Sequence, residues 1–460
     1  MPTPAAAGPT LDRIEKRGVI RVGVGTTPGF FAPGADGEWQ GFFIDFGRAL
    51  SIAVFGCGTA GLAGCPTPRP SVFNPDPDNQ PPVVVGSGAP PSDVDIVADD
   101  LHQPSIWKFN LAFEHELPWW GMVASAEAII TEVEDAVFYE HLNLGSPTRL
   151  GLDGRNLYWA NTAASQYQTN GTFNGTARSR RNTAFREVLL ARPTSKGHGE
   201  NYTLSLTKPM TVDSNWFWQA AYSYTDATEV NGLTSSRAIS NWASRSVFNP
   251  NEEIASTSPY INKDRFIGTM SYRHFFFEGY KTEFAMFYEG RRGKPYSWTF
   301  NNDMNGDGLA GNDLMYIPLP GQVVFTDPTE AAVFEQLVRN YGLDQYAGGV
   351  VPRNTETAPW VHNFDIRISQ ELPGFFADNK AEIWLDILNV GNLVNKDWGL
   401  IDEVGFQSNG GQARSFANFA GIDANGRYIY DVLATPEGLA RRDRTGESRW
   451  ALQVGFRYSF

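Results

Sequence analysis

The last twelve residues, RWALQVGFRYSF, alternate between apolar and polar positions without a break. Trp450, Leu452, Val454, Phe456, Tyr458 and Phe460 fall on one side of an extended segment, and Ala451, Gln453, Gly455, Arg457 and Ser459 on the other. A period of two marks a strand with one apolar face. The same pattern starts near residue 105. SIWKFNLAFEHEL sets Trp107, Phe109, Leu111 and Phe113 against Lys108, Asn110, Glu114 and Glu116. Asn215–Thr225 sets Trp216, Trp218, Ala220, Tyr222 and Tyr224 against Asn215, Gln219, Ser223 and Thr225. GMVASAEAIITEVEDAVFYEHLNL, TAFREVLLARP, NYTLSLTK, RFIGTMSYRHFFF, YKTEFAMFYEGRR, WVHNFDIRISQEL, KAEIWLDILNV and RYIYDVL extend the series. The pattern predicts roughly ten to twelve strands, many near the length of a tilted membrane strand.

The connections alternate in length. ELPWWGM, FFFEGYK and ELPGFFADNK are tight turns, whereas 143–181, 226–261, 293–355 and 393–426 are long and rich in Asn, Gly, Ser and Asp. Short turns at one end and long loops at the other is the layout of an outer-membrane barrel. Trp119, Trp120, Phe275, Phe276, Phe277, Phe375 and Phe376 cluster at strand ends, where an interfacial girdle requires aromatics. Mean hydropathy is −0.32, and there is no apolar run long enough for a membrane helix. A barrel escapes that test, because half of each strand faces a polar lumen. The expected fold is therefore all-β, an antiparallel transmembrane β-barrel over 105–460. A soluble glycan-binding β protein is the competing class. The net charge of −14 argues against nucleic acid as a partner.

The first part of the chain is different. In residues 1–56, VIRVGVG reads as a buried strand and DFGRALSIAVF as a helix, a short α/β segment. Residues 57–104 are rich in Pro and Gly and read as a linker. The two cysteines, Cys57 and Cys65, lie in that linker, as a local disulfide or two free thiols. No secretory signal is expected at the N-terminus.

One segment has metal-ligand spacing. In DMNGDGLAGND, Asp303, Asn305 and Asp307 occupy positions 1, 3 and 5 of a calcium loop and Gly308 position 6. Leu314 stands where a bidentate Glu belongs, and Asp313 precedes it. Two readings stay open, a calcium site and a polar surface turn. No other cofactor is expected. The six His residues show no paired spacing, and no nucleophile elbow or phosphate loop occurs, so no enzyme activity is expected. Lys108, Glu114, Glu283, Asp365, Arg367, Asp386 and Arg457 alternate with apolar neighbours and are the candidates for a polar lumen.

LHQPSIWKFNLAFEHELPWWGMV, VFYEHLNLGSPTRLGLDGRNLYW, FAMFYEGRRGKPYSWTFNNDMNGDGLAGNDLMYIP, PWVHNFDIRISQELPGF and AEIWLDILNVGNLVNKDWG resemble the barrel portion of TonB-dependent outer-membrane receptors, of the Oar-like group, over about 92–460. The resemblance implies uptake or surface binding of a bulky substrate. It also implies recognition of Val454, Phe456, Tyr458 and Phe460 by the barrel-assembly machinery. A plug and a TonB-contact motif are not recognisable here, and such barrels have about 22 strands. The resemblance therefore implies a partial barrel in the outer membrane of a Gram-negative cell, coupled to TonB only if a plug is supplied. LDRIEKRGVIRVGVGTTPGF and GEWQGFFIDFGRALSIAVFG resemble the start of a periplasmic amino-acid-binding protein of ABC transporters. There Asp45 matches one acidic cleft position, while Phe43 replaces a second. Amino-acid binding is the alternative function.

Overall fold

Alternating segments become neighbouring strands because each buries its hydrogen-bonding groups against the next and keeps its side chains for the two faces. The computed structural model describes residues 92–460 apart from 178–179, 377–378, 406–412, 434 and 437, together with the antiparallel pair Ala32–Pro33 and Trp39–Gln40. Met1–Ala89 and Pro90–Phe460 are separate units. The strand and helix expected within 1–56, Asp45, Phe43, Cys57 and Cys65 lie outside the described residues.

The second unit is built on a 12-stranded sheet. Its strands are β1 (Ser92–Val97), β2 (Ser105–Glu116), β3 (Val123–His141), β4 (Phe185–Thr194), β5 (Gly197–Lys208), β6 (Trp216–Glu229), β7 (Asp264–Phe277), β8 (Tyr280–Arg291), β9 (Val361–Pro373), β10 (Lys380–Leu388) and β11 (Ala451–Ser459). The short strand Ser256–Thr257 joins them by pairing with the end of β6. From β2 to β11 the sheet is an antiparallel meander in chain order, the all-β architecture expected. β4 and β5 share one strand position: Ala136↔Thr194 and Glu132↔His198 belong to a single register opposite β3. Pro193 and Gly197 punctuate the sequence there without ending the wall.

Two expectations change. Residues 57–104 are not linker throughout, because Ser92–Val97 forms β1, parallel to β4. A parallel partner nearly a hundred residues away leaves no local signal. RYIYDVL is not a wall strand: Tyr428–Val432 pairs with Ala417–Ile422 and Val323–Phe325 in a separate small sheet. Its aromatic residues alternate as wall residues do, but they point into a loop core.

Among the described residues β2 and β11 are each paired on one side only. Counting along the meander, they run in the same direction. Antiparallel closure therefore takes an odd number of further strands.

The short turns 117–122, 209–215, 278–279 and 374–379 lie at one end and the connections 142–184, 230–263, 292–360 and 389–450 at the other. These long connections form a cap with its own core. Leu157, Trp159, Phe173, Trp298, Phe300, Phe334, Phe416, Phe419, Tyr428 and Tyr430 pack together in it. The helix Glu330–Asn340 turns Phe334, Leu337 and Val338 into that core. The cap leaves the wall through Asn389, which follows β10 with φ +52°. Asn tolerates that left-handed conformation better than most residues. Its Nδ2 donates to the carbonyls of Gly399 (2.8 Å) and Glu447 (2.7 Å). A Cβ on Gly399 would lie 1.9 Å from Asn389 Oδ1, so this approach requires glycine.

Candidate functional site

The register assigns every wall residue to one of two faces. Leu204, Tyr222 and Phe266 are successive neighbours on one face, as are Ile368, Leu385 and Val454. This face is apolar and open: Leu111 is 77% exposed, Leu204 60% and Phe456 64%. Trp119, Trp120, Trp216, Phe275, Phe276, Phe375 and Phe376 stand exposed at its short-turn end. Val454, Phe456 and Phe460 of the C-terminal stretch are exposed as well. The Tyr458 hydroxyl instead accepts from Phe375 N and Asn379 Nδ2, both at 3.0 Å, and ties down the last tight turn.

The opposite face is charged. Lys108, Glu114, Glu283, Asp365, Arg367, Asp386 and Arg457 all lie on it, as their cross-strand partners show. Ion pairs link neighbouring strands: Arg265–Glu289 at 2.7 Å, Arg273–Glu283 at 3.6 Å, Arg367–Asp386 at 2.5 Å and Arg457–Glu382 at 3.9 Å. The Arg367 and Arg457 guanidinium groups lie 5.6 and 5.8 Å from the Trp384 ring. Gly455 leaves room for that ring, since a Cβ there would meet it at 2.1 Å. Asp365 has a structural partner in the Asn389 N–H at 2.7 Å, which anchors the cap.

The acidic loop 303–313 is anchored inside the cap, with Gly308 and Ala310 exposed at its surface. Asp307 and Asp313 are buried, as are Asn305 and Asn312. Met304 and Phe300 carry the loop into the aromatic core, and Trp159 Nε1 donates to the Met304 carbonyl at 3.1 Å. Asp303 accepts from the N–H groups of Gly306 (2.6 Å) and Gly308 (2.9 Å). Asp307 accepts from Leu309 N (2.8 Å), Asn312 Nδ2 (3.2 Å) and Asn305 Nδ2 (3.4 Å). Asp313 Oδ2 accepts from Met304 N at 2.9 Å.

Arg155 is the counterion that sequence reasoning missed. It is fully buried and reaches the loop from 148 residues earlier in sequence than Asp303, so no local pattern marks it. Its Nε donates to Asp153 at 2.7 Å and its Nη2 to the Leu314 carbonyl at 2.6 Å, whereas Nη1 stays 3.8 Å from Asp313 Oδ1. Tyr428 donates to Asp153 at 2.6 Å.

Burial pushes the carboxyls of Asp303 and Asp313 well above the usual range, and the Asp307 charge raises both further. Burial likewise lifts Asp307 to about 6. Burial opposes the charge of Arg155, but Asp153 and Asp313 hold it above its ordinary value. Among the described residues no three acidic, His or Cys side chains already meet at metal-ligand spacing. No helix among them is long and apolar enough to cross a membrane, which says nothing of strands.

No protein-family model matches the chain. An N-terminal stretch of 53 residues is 45% identical to the general L-amino acid-binding periplasmic protein AapJ of Rhizobium johnstonii. It is 42% identical to the putative amino-acid ABC transporter-binding protein YhdW of Escherichia coli. Each match takes in 11% of this chain and 16% of the relative. The outer membrane transporter YddB of Escherichia coli is similar in structure, at 12% identity and a TM-score of 0.35, over 80% of this chain and 34% of that one. The chain thus spans about a sixth and about a third, respectively, of these proteins' lengths.

Proposed function

We propose that residues 92–460 form part of an outer-membrane β-barrel of the TonB-dependent receptor type, acting in uptake or surface binding of a bulky solute. The outward face of the wall carries this reading. It is a continuous apolar surface over neighbouring strands, rimmed with aromatics at the short-turn end, and water penalises such a surface where lipid does not. The charged face then lines a lumen, and the folded cap closes its outer end. In this reading the role is binding and passage, with no catalytic step. The partners are outer-membrane lipid and the assembly machinery that reads Val454, Phe456, Tyr458 and Phe460. The free edges of β2 and β11 need further strands, because lipid tolerates no unpaired edge. TonB joins only through a plug.

The test is expression behind a signal peptide, followed by fractionation and semi-native electrophoresis with and without boiling. A chain found in the outer-membrane fraction and extracted only by detergent supports the reading, and a mobility shift on boiling would add that its barrel closes. A chain that stays soluble and monodisperse without detergent overturns it. A second reading, amino-acid binding by the first unit, rests on the 53-residue similarity. Calorimetric titration of the whole chain with L-amino acids tests it, and no heat of binding would remove it.

A further inference from the structure

The loop 303–313 sets the buried carboxyls of Asp307 and Asp313 beside Asp303, with Arg155 as the nearby cation. Asp307 lies near enough to raise the charge cost of both Asp303 and Asp313. Arg155 is the cation within reach, and it is committed first to Asp153. Buried carboxylates are retained where a cation compensates them. Two oxygens point to what is missing. Asn312, 2% exposed, lies against Asp307 through Nδ2, while its Oδ1 has no hydrogen-bond donor. Asp313, fully buried, has no hydrogen bond on Oδ1 either: Arg155 Nη1 faces it but stays 3.8 Å away. A further N–H would satisfy one such atom. A hard cation satisfies both oxygens together.

We propose that this loop binds a calcium ion through Asp303, Asp307 and Asp313, with Asn305 and Asn312 supplying neutral oxygens. An all-oxygen donor set on a loop with left-handed glycines at 306, 308 and 311 suits a large, geometrically tolerant ion better than magnesium. Binding draws the carboxylates together from their present amide contacts. Because Met304 belongs to the aromatic core and Asp313 faces Arg155, the ion fastens 293–355 to 148–159. This holds whether or not the wall lies in a membrane.

The experiment is terbium luminescence on the full chain in detergent, excited through Trp159, which touches the loop at Met304. A saturable signal that calcium displaces is expected. Trp159→Phe should dim that signal while calorimetric calcium binding persists. Asp307→Asn should weaken binding about tenfold or more, since affinity follows ligand charge. In parallel, chelation should speed protease cleavage within 293–355 of the unsubstituted chain. That readout needs no variant to fold. Equal cleavage with calcium and with chelator, and no saturable terbium signal, would overturn the site. So would undiminished affinity in folded Asp307→Asn.

Discussion

The wall and the cap use the same residue types in opposite ways. On β11, Leu452, Val454 and Phe456 are exposed, and Arg457 faces Glu382 on the neighbouring strand. In the cap, Trp298, Phe300, Phe416 and Tyr430 are wholly buried, and they enclose Asp307 and Asp313 with them. Under the proposed reading the wall needs no core of its own, because lipid takes the place of one on its apolar face. A cap in water has to build one. The difference shows that aromatic content alone does not separate a membrane surface from a folded core. Spacing tells which side chains share a face, since period two on a register-locked strand directs every second one to the same side. Tyr428 and Tyr430 show that it does not tell what covers that face.

Truncation inside the cap should separate the two regions most sharply. Trp298→Ala removes a fully buried ring in contact with Phe416 and Arg414, at a cost of about 3–5 kcal/mol. Hydrogen exchange should show 293–355 and 413–433 opening while β5 to β8 keep their protection. Equal loss in the wall would break the division.

A charge on the outward face comes next. Tyr222→Arg should lower folding into lipid vesicles by about 2–4 kcal/mol near mid-bilayer. Ser223→Arg, one residue along and on the charged face, should fold as before. If both fold equally well, the apolar face does not meet lipid.

Gly455→Ala drives a methyl group into Trp384 and should cost about 1–3 kcal/mol, with a change in tryptophan emission. The smallest effect belongs to the charged face itself. Arg273→Gln breaks a partly exposed 3.6 Å pair and should cost under about 1 kcal/mol, less in high salt. Urea or thermal unfolding in detergent would measure both.

Much of the wall was legible. Lys108, Glu283, Arg367, Asp386 and Arg457 were assigned to one face by parity alone, and the register places them there, because a pleated strand leaves a side chain only two directions. The cap was not legible. Met304, Met315 and Ile317 follow no period, so the segment reads as polar loop although it encloses core. Tyr428 and Tyr430 alternate like wall residues, yet their strand lies in the cap.

By itself, then, the sequence determined the strands of the wall, their two faces, the end that carries the long loops and the oxygen-rich spacing of 303–313. Each depends on neighbours within a turn or a strand length. Only the tertiary structure decided that the long loops share one core and that β1 pairs with β4 from across the chain. It alone brought Arg155 beside Asp313 and gave the edge strands a common direction. Those are contacts between residues far apart in sequence, set by which surfaces must leave water together, and no local period encodes them.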